Sequence, residues 1–182
     1  MKVLALVFFL GLHLQGRQFG DYLLTTVPHG LTISSLVRNR AFLLGVNGDD
    51  IVVSKDSSPG HLAMTVDKKF LQVFTVPLAD FNGTAANSDL AVLRQYMEYK
   101  TRSYHLPLNA IHTEASKLKS KRNVLVWSFE TRLTPQVKQQ LFLTWRYKDY
   151  VVVLGSAISP GQSVEQIRPW LIKIAESFFV RA

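Results

Sequence analysis

Three apolar runs follow one another between Asn123 and Ile158: Val124–Thr131, Gln140–Tyr147 and Tyr150–Ile158. Each has strand length and is rich in β-branched and aromatic residues. Turn-like residues separate them, which predicts an antiparallel meander at the middle of a sheet. Upstream, Phe70–Leu78 puts Phe70, Gln72, Phe74, Val76 and Leu78 on one face and Leu71, Val73, Thr75 and Pro77 on the other. Both faces are largely apolar, so the sheet should be covered on both sides, with helices over it. His61–Val66 is the expected hairpin partner of this strand, with Asp67-Lys68-Lys69 at the tip. Asp21–Val27 reads as a first strand closed by Pro28-His29-Gly30, with Leu31–Ile33 continuing after the turn. Ala41–Gly45 reads as another strand. Asn47-Gly48, both of which accept positive φ, predicts a tight hairpin from which Ile51–Val53 returns.

A helical period occurs twice. Leu90, Leu93, Tyr96, Met97 and Tyr104 recur at helical spacing after two capping candidates, Asn87 and Ser88, and the helix should end before Pro107. Val164, Ile167, Leu171, Ile174 and Phe178 form a second stripe, opened by a Ser163/Gln166 capping box. Pro169 interrupts it. Either the helix bends there, or Ser163–Arg168 is a separate turn and the main helix starts at Pro169. Ile111–Leu118 has no clear period.

Composition narrows the class. A chain of 182 residues, 47% hydrophobic and 19% charged, fits one globular domain with a real core. The absence of cysteine excludes disulfides, thiolate catalysis and thiolate-bound zinc. Met1-Lys2 followed by the apolar run Val3–Leu12 has the form of a secretory signal, and the run is too short to span a bilayer of about 30 Å. Residues 1–20 are therefore expected to be an export leader, and residues 21–182 a single α+β domain acting in the periplasm or as a secreted protein.

A formal net charge of +8 favours anionic partners. Export makes a membrane or protein surface the expected partner and leaves no nucleic acid expected. Lys117, Lys119, Lys121 and Arg122 crowd one turn and are the candidate patch for such an anionic partner, although short basic runs also occur in plain solvated turns. No His-Glu-x-x-His, Gly-x-Ser-x-Gly or phosphate-loop pattern occurs, so no catalytic residue, metal or cofactor is assigned. Trp127, Trp145, Trp170, Phe129 and Phe142 read as core aromatics, with a ligand groove as the alternative. Trp127 and Trp145 lie on adjacent strands, and a cross-strand pair would bring them together.

Early hairpins, a helix after an apolar strand, three meander strands carrying Trp127 and Trp145, and a closing helix ending in Ile174-Ala-Glu-Ser-Phe-Phe179 come in an order that resembles the PsbP-like (Mog/PsbP) family. The likeness covers roughly Asp21 to Val180. It implies an antiparallel sheet of about six or more strands flanked by helices, an α/β/α sandwich. It also implies a non-catalytic accessory role at a protein partner or membrane-associated complex. Two other readings stand beside it. One is a carrier of a small apolar ligand in a sheet–helix cleft. The other is a hydrolase, which would need a cleft holding a carboxylate or histidine of perturbed pKa. A functional address is expected on the loops Asp80–Asn87 and Lys117–Asn123 or on a sheet edge, away from the meander.

Overall fold

The structure, a computed structural model, describes residues 16–36, 41–54, 60–84, 87–134 and 136–180. The leader expectation thus falls largely outside the described residues. The described chain forms, in order, β1 (Gly16–Phe19), β2 (Tyr22–Val27), β3 (Gly30–Ser35), β4 (Phe42–Asn47), β5 (Ile51–Val53), β6 (His61–Val66), β7 (Lys69–Pro77), α1 (Asp89–Ser103), β8 (His112–Lys117), β9 (Asn123–Thr134), β10 (Val137–Tyr147), β11 (Tyr150–Ile158), α2 (Val164–Glu176) and β12 (Phe179–Val180). The class is α+β. Residues 16–19, inside the expected leader boundary, form β1 and pair with β2 from Gly16↔Thr25 to Phe19↔Tyr22.

The strands make two antiparallel sheets. The larger runs β5-β6-β7-β11-β10-β9-β8, with the predicted meander at its heart. The smaller runs β1-β2-β3-β4-β12. Alternation explains how the larger sheet is covered. Phe74, Leu125, Trp127, Phe129, Phe142, Val151 and Val153 face α1, which contributes Val92, Leu93, Tyr96 and Met97 to one core. Their neighbours Val73, Val126, Leu143, Trp145, Val152 and Leu154 face the other way. They meet Leu24, Leu31, Ile33, Phe42 and Leu44 of the smaller sheet and Ile167, Leu171 and Ile174 of α2. The larger sheet is therefore flanked by a helix on each face, and α2 shares its face with the second sheet.

The helices start as their capping residues direct. Ser88 caps α1, its Oγ accepting the Ala91 N–H at 3.4 Å. Arg146 of β10 ties down the same end, donating to the Asn87 carbonyl at 2.9 Å and lying 3.6 Å from Asp89. In α2 the Gln166 side chain accepts the Ser163 N–H at 3.1 Å, one arm of the capping box. Of the two readings of Pro169, the structure takes the continuous helix. Glu165 and Pro169 are both exposed, so the carbonyl that loses its donor is open to water.

Two expectations are corrected. Asn47-Gly48 is not a hairpin turn. Neither residue has positive φ, and β4 and β5 belong to different sheets. A Cβ on Gly48 would lie 2.5 Å from Val66 Cγ1, so this glycine is needed for close passage and not for a left-handed backbone. Trp127 and Trp145 are not neighbours. Trp127 pairs with Phe142, and Trp145, three residues further along β10, faces the opposite side. Ile111–Leu118 contains an edge strand, β8, whose exposed, polar residues hide any period.

Candidate functional site

β1 is the last strand of the smaller sheet and β5 the last of the larger. Between these two edges the sheets part and leave an open cleft of about 590 Å³. Cross-strand pairing sets what faces it. Arg17 is opposite Leu24 and Phe19 opposite Tyr22, and paired residues share a face, so Arg17 and Phe19 look inward between the sheets. Leu24 and Leu31 form a buried floor, and Phe19, Ile51 and Val53 pack partly against the same core. Arg17, His29 and Asp49 stand at the rim. His29 Nδ1 lies 3.4 Å from Asp49 Oδ1, with both side chains 88% exposed, and a pair so open to water contributes little.

The backbone of β5 is held in a definite register. Asp67 Oδ1 accepts the N–H groups of Asp49 and Asp50 at 3.1 and 3.0 Å. Asp67 N–H bonds the Asp50 carbonyl, and Ser54 N–H bonds the Ala63 carbonyl. Residues 50, 52 and 54 thus bond towards β6. By antiparallel alternation the N–H and C=O of Ile51 and Val53 point at the open edge.

A smaller cavity of about 200 Å³ lies between β4 and α2, lined by Gly45, Asn47, Trp170, Lys173, Ile174 and Ser177. Ser177 closes its end, its Oγ accepting the Gly45 N–H at 2.8 Å. This is the only sheet–helix cleft of the two, and it is the narrower one.

Perturbed titratable groups sit elsewhere. Burial lowers the pKa of Lys100, whose Nζ lies 5.9 Å from the Phe74 ring centre and 5.3 Å from that of Tyr104. His61 packs on Phe74 at 4.8 Å between ring centres. Burial, and then the Lys100 charge, push its pKa down. Neither His61 nor Lys100 lines either cavity. Among the described residues no group of three or more His, Asp or Glu could hold a metal ion.

The basic turn is divided by the fold. Lys117 ends β8, and Lys119 and Lys121 follow it in the turn to β9, all exposed. Arg122 turns inward, its guanidinium 4.3 Å from the centre of the Phe178 ring, and burial lowers its pKa. The cleft residues escaped sequence reading because Arg17, Phe19, Leu24, Leu31 and Ile51 form no motif. Their only sequence signal was alternation within short strands.

No protein-family model matches the chain, and no curated protein matches it. Solved structures similar to it include a crystal structure from Bacteroides thetaiotaomicron VPI-5482, with 9% identity and a TM-score of 0.47 over 78% of this chain and 45% of that one. The chain thus spans less than half the length of that structure. Another is the solution structure of cyanobacterial PsbP (CyanoP) from Synechocystis sp. PCC 6803, with 13% identity and a TM-score of 0.48 over 77% of this chain and 86% of that one. PsbP is the family whose element order the sequence resembles. At these identities and scores neither likeness transfers a partner, a ligand or a residue role.

Proposed function

We propose that this chain is an exported, non-catalytic accessory domain that binds a protein partner, taking an extended segment of it by strand addition at β5. The observation that carries this is the position of the cleft at edges of two sheets that are free among the described residues. A strand laid on Ile51–Val53 would find the outward N–H and C=O groups of Ile51 and Val53. Its alternate side chains would enter the cleft over Leu24, Leu31 and Phe19. The leader pattern at Met1–Leu12 supports work outside the cytoplasm.

Affinity capture from extracts of the source organism tests this, with wild type compared against Val53→Pro. The substitution removes an N–H from the open edge and leaves the β5–β6 ladder in place. Partner proteins should be enriched by wild type and depleted by the variant. Equal recovery by both, or no protein recovered by a folded wild type, would count against strand addition. Native mass spectrometry of the purified domain addresses the apolar-carrier alternative, which requires a co-purified small molecule. N-terminal sequencing of the extracytoplasmic fraction addresses export, and a full-length chain confined to the cytoplasm would contradict it.

A further inference from the structure

The edge of the smaller sheet opposite the cleft is β12, and it carries exposed apolar residues. Phe179 is 65% and Val180 37% exposed. The register puts Leu23, Ser34, Leu43 and Phe179 in one row across the outer face of this sheet. Leu36, two residues beyond Ser34, lies on that face and is 46% exposed. Further along β4 the same face is flanked by α2, beside Gly45 and Asn47.

The β8–β9 turn is fastened to the same corner by two contacts. Lys119 N–H donates to Glu176 Oε1 at 2.9 Å, at the end of α2. Arg122 lies on Phe178, the residue before β12. Lys117, Lys119 and Lys121 are therefore held at the corner where α2 ends and β12 begins. Glu176 accepts the Lys119 N–H and Glu114 of β8 pairs with Arg168 of α2, while Glu165 of α2 and Glu130 of β9 are exposed.

We propose that this corner docks on an anionic lipid surface, with Phe179 entering the headgroup layer and the three lysines facing the headgroup charge. Three features favour lipid over an acidic protein. The free cations are lysines, whose compact charges on flexible stems suit a diffuse anionic layer, whereas bidentate carboxylate recognition favours arginine. The one arginine of the turn is committed to Phe178. Phe179 projects from the outer sheet face and lines neither cavity, so it offers no pocket for a protein anchor residue.

The test is co-sedimentation of the full chain with vesicles of phosphatidylcholine alone and of equal parts phosphatidylcholine and phosphatidylglycerol. Binding is expected only to the anionic vesicles and should fall steeply with salt. The variant Lys117→Gln/Lys119→Gln/Lys121→Gln should lose at least about tenfold in partitioning, and Phe179→Ser several-fold, since each surface lysine and each buried apolar group adds to the affinity. Thermal unfolding of each variant establishes that it is folded. Unchanged binding by a folded triple-lysine variant, or no binding by wild type at low salt, overturns the proposal. Loss in the lysine variant with full binding by Phe179→Ser overturns the insertion of Phe179 and leaves a purely electrostatic contact with the headgroups.

Discussion

Trp127 stacks on Phe142 across β9 and β10, with ring centres 4.2 Å apart and planes 18° from parallel. Both rings are buried under α1. Trp145, equally buried, points to the other layer and meets Phe178 edge-on at 5.3 Å. The two tryptophans of the meander thus serve two separate cores, divided by one sheet.

This separation has a measurable consequence. Trp127→Phe and Trp145→Phe should each destabilise the fold, and their effects should add within about 0.5 kcal/mol, because they share no partner. Trp127→Ala with Phe142→Ala should instead show a coupling of about 0.5–1.5 kcal/mol, the usual worth of an aromatic pair beyond area. Denaturant unfolding of the two double-mutant cycles distinguishes these patterns.

Tyr96 is fully buried at the α1 interface, and its hydroxyl has no hydrogen-bond partner among the described residues. Burial raises its pKa, so the group stays neutral. A buried hydroxyl without a partner costs about 1–3 kcal/mol in desolvation. Tyr96→Phe is therefore expected to leave stability unchanged or raise it by about 1 kcal/mol. A fall of more than that in chemical denaturation would show that the hydroxyl is satisfied in solution.

His61 makes stability depend on pH in a defined direction. Its folded-state pKa lies below the ordinary 6.5, through burial first and Lys100 second. The unfolded chain therefore takes up a proton before the folded one does. Stability from this group is full above pH 6.5 and falls as pH drops from there towards the folded pKa. Urea unfolding across this window should show the slope. His61→Gln should remove it, and Lys100→Met should make it shallower. A slope unchanged in His61→Gln would assign the effect elsewhere.

Gly48→Ala should destabilise by about 1–3 kcal/mol through overpacking. The new methyl would meet Val66 Cγ1 at 2.5 Å, and Val66 is fully buried and cannot swing away. Gly161→Ala is the useful contrast, because nothing lies within 4 Å of its Cβ and only its φ of +87° opposes the change. A two-state thermal melt of each variant checks the ranking, with Gly48→Ala expected to lose more.

Much of the fold was legible in short-range pattern. The meander, the β6–β7 hairpin, the Ser88 cap and the Ser163–Gln166 box follow from alternation, helical period and local hydrogen bonding. Asp67 and Lys68 do take the positive φ of a tight turn, at 46° and 65°. Asn47-Gly48 carries the stronger turn signal and does not turn. The segment crosses from one sheet to the other, and Gly48 passes close to Val66 on the way. Of the candidate site, Lys117, Lys119 and Lys121 were readable as an exposed basic turn. The inward turn of Arg122 was not, since Phe178 lies far along the chain.

By itself, the sequence determined the meander, the β6–β7 hairpin and the two helical stretches, and that the central strands are apolar on both faces. These depend on neighbours within a few residues. Only the tertiary structure decided that the strands divide into two sheets, that Trp127 and Trp145 face apart, and that β1 and β5 end beside each other around a cleft. Those outcomes depend on which edges meet and which layer covers which face, and they are set by packing between residues far apart in the chain.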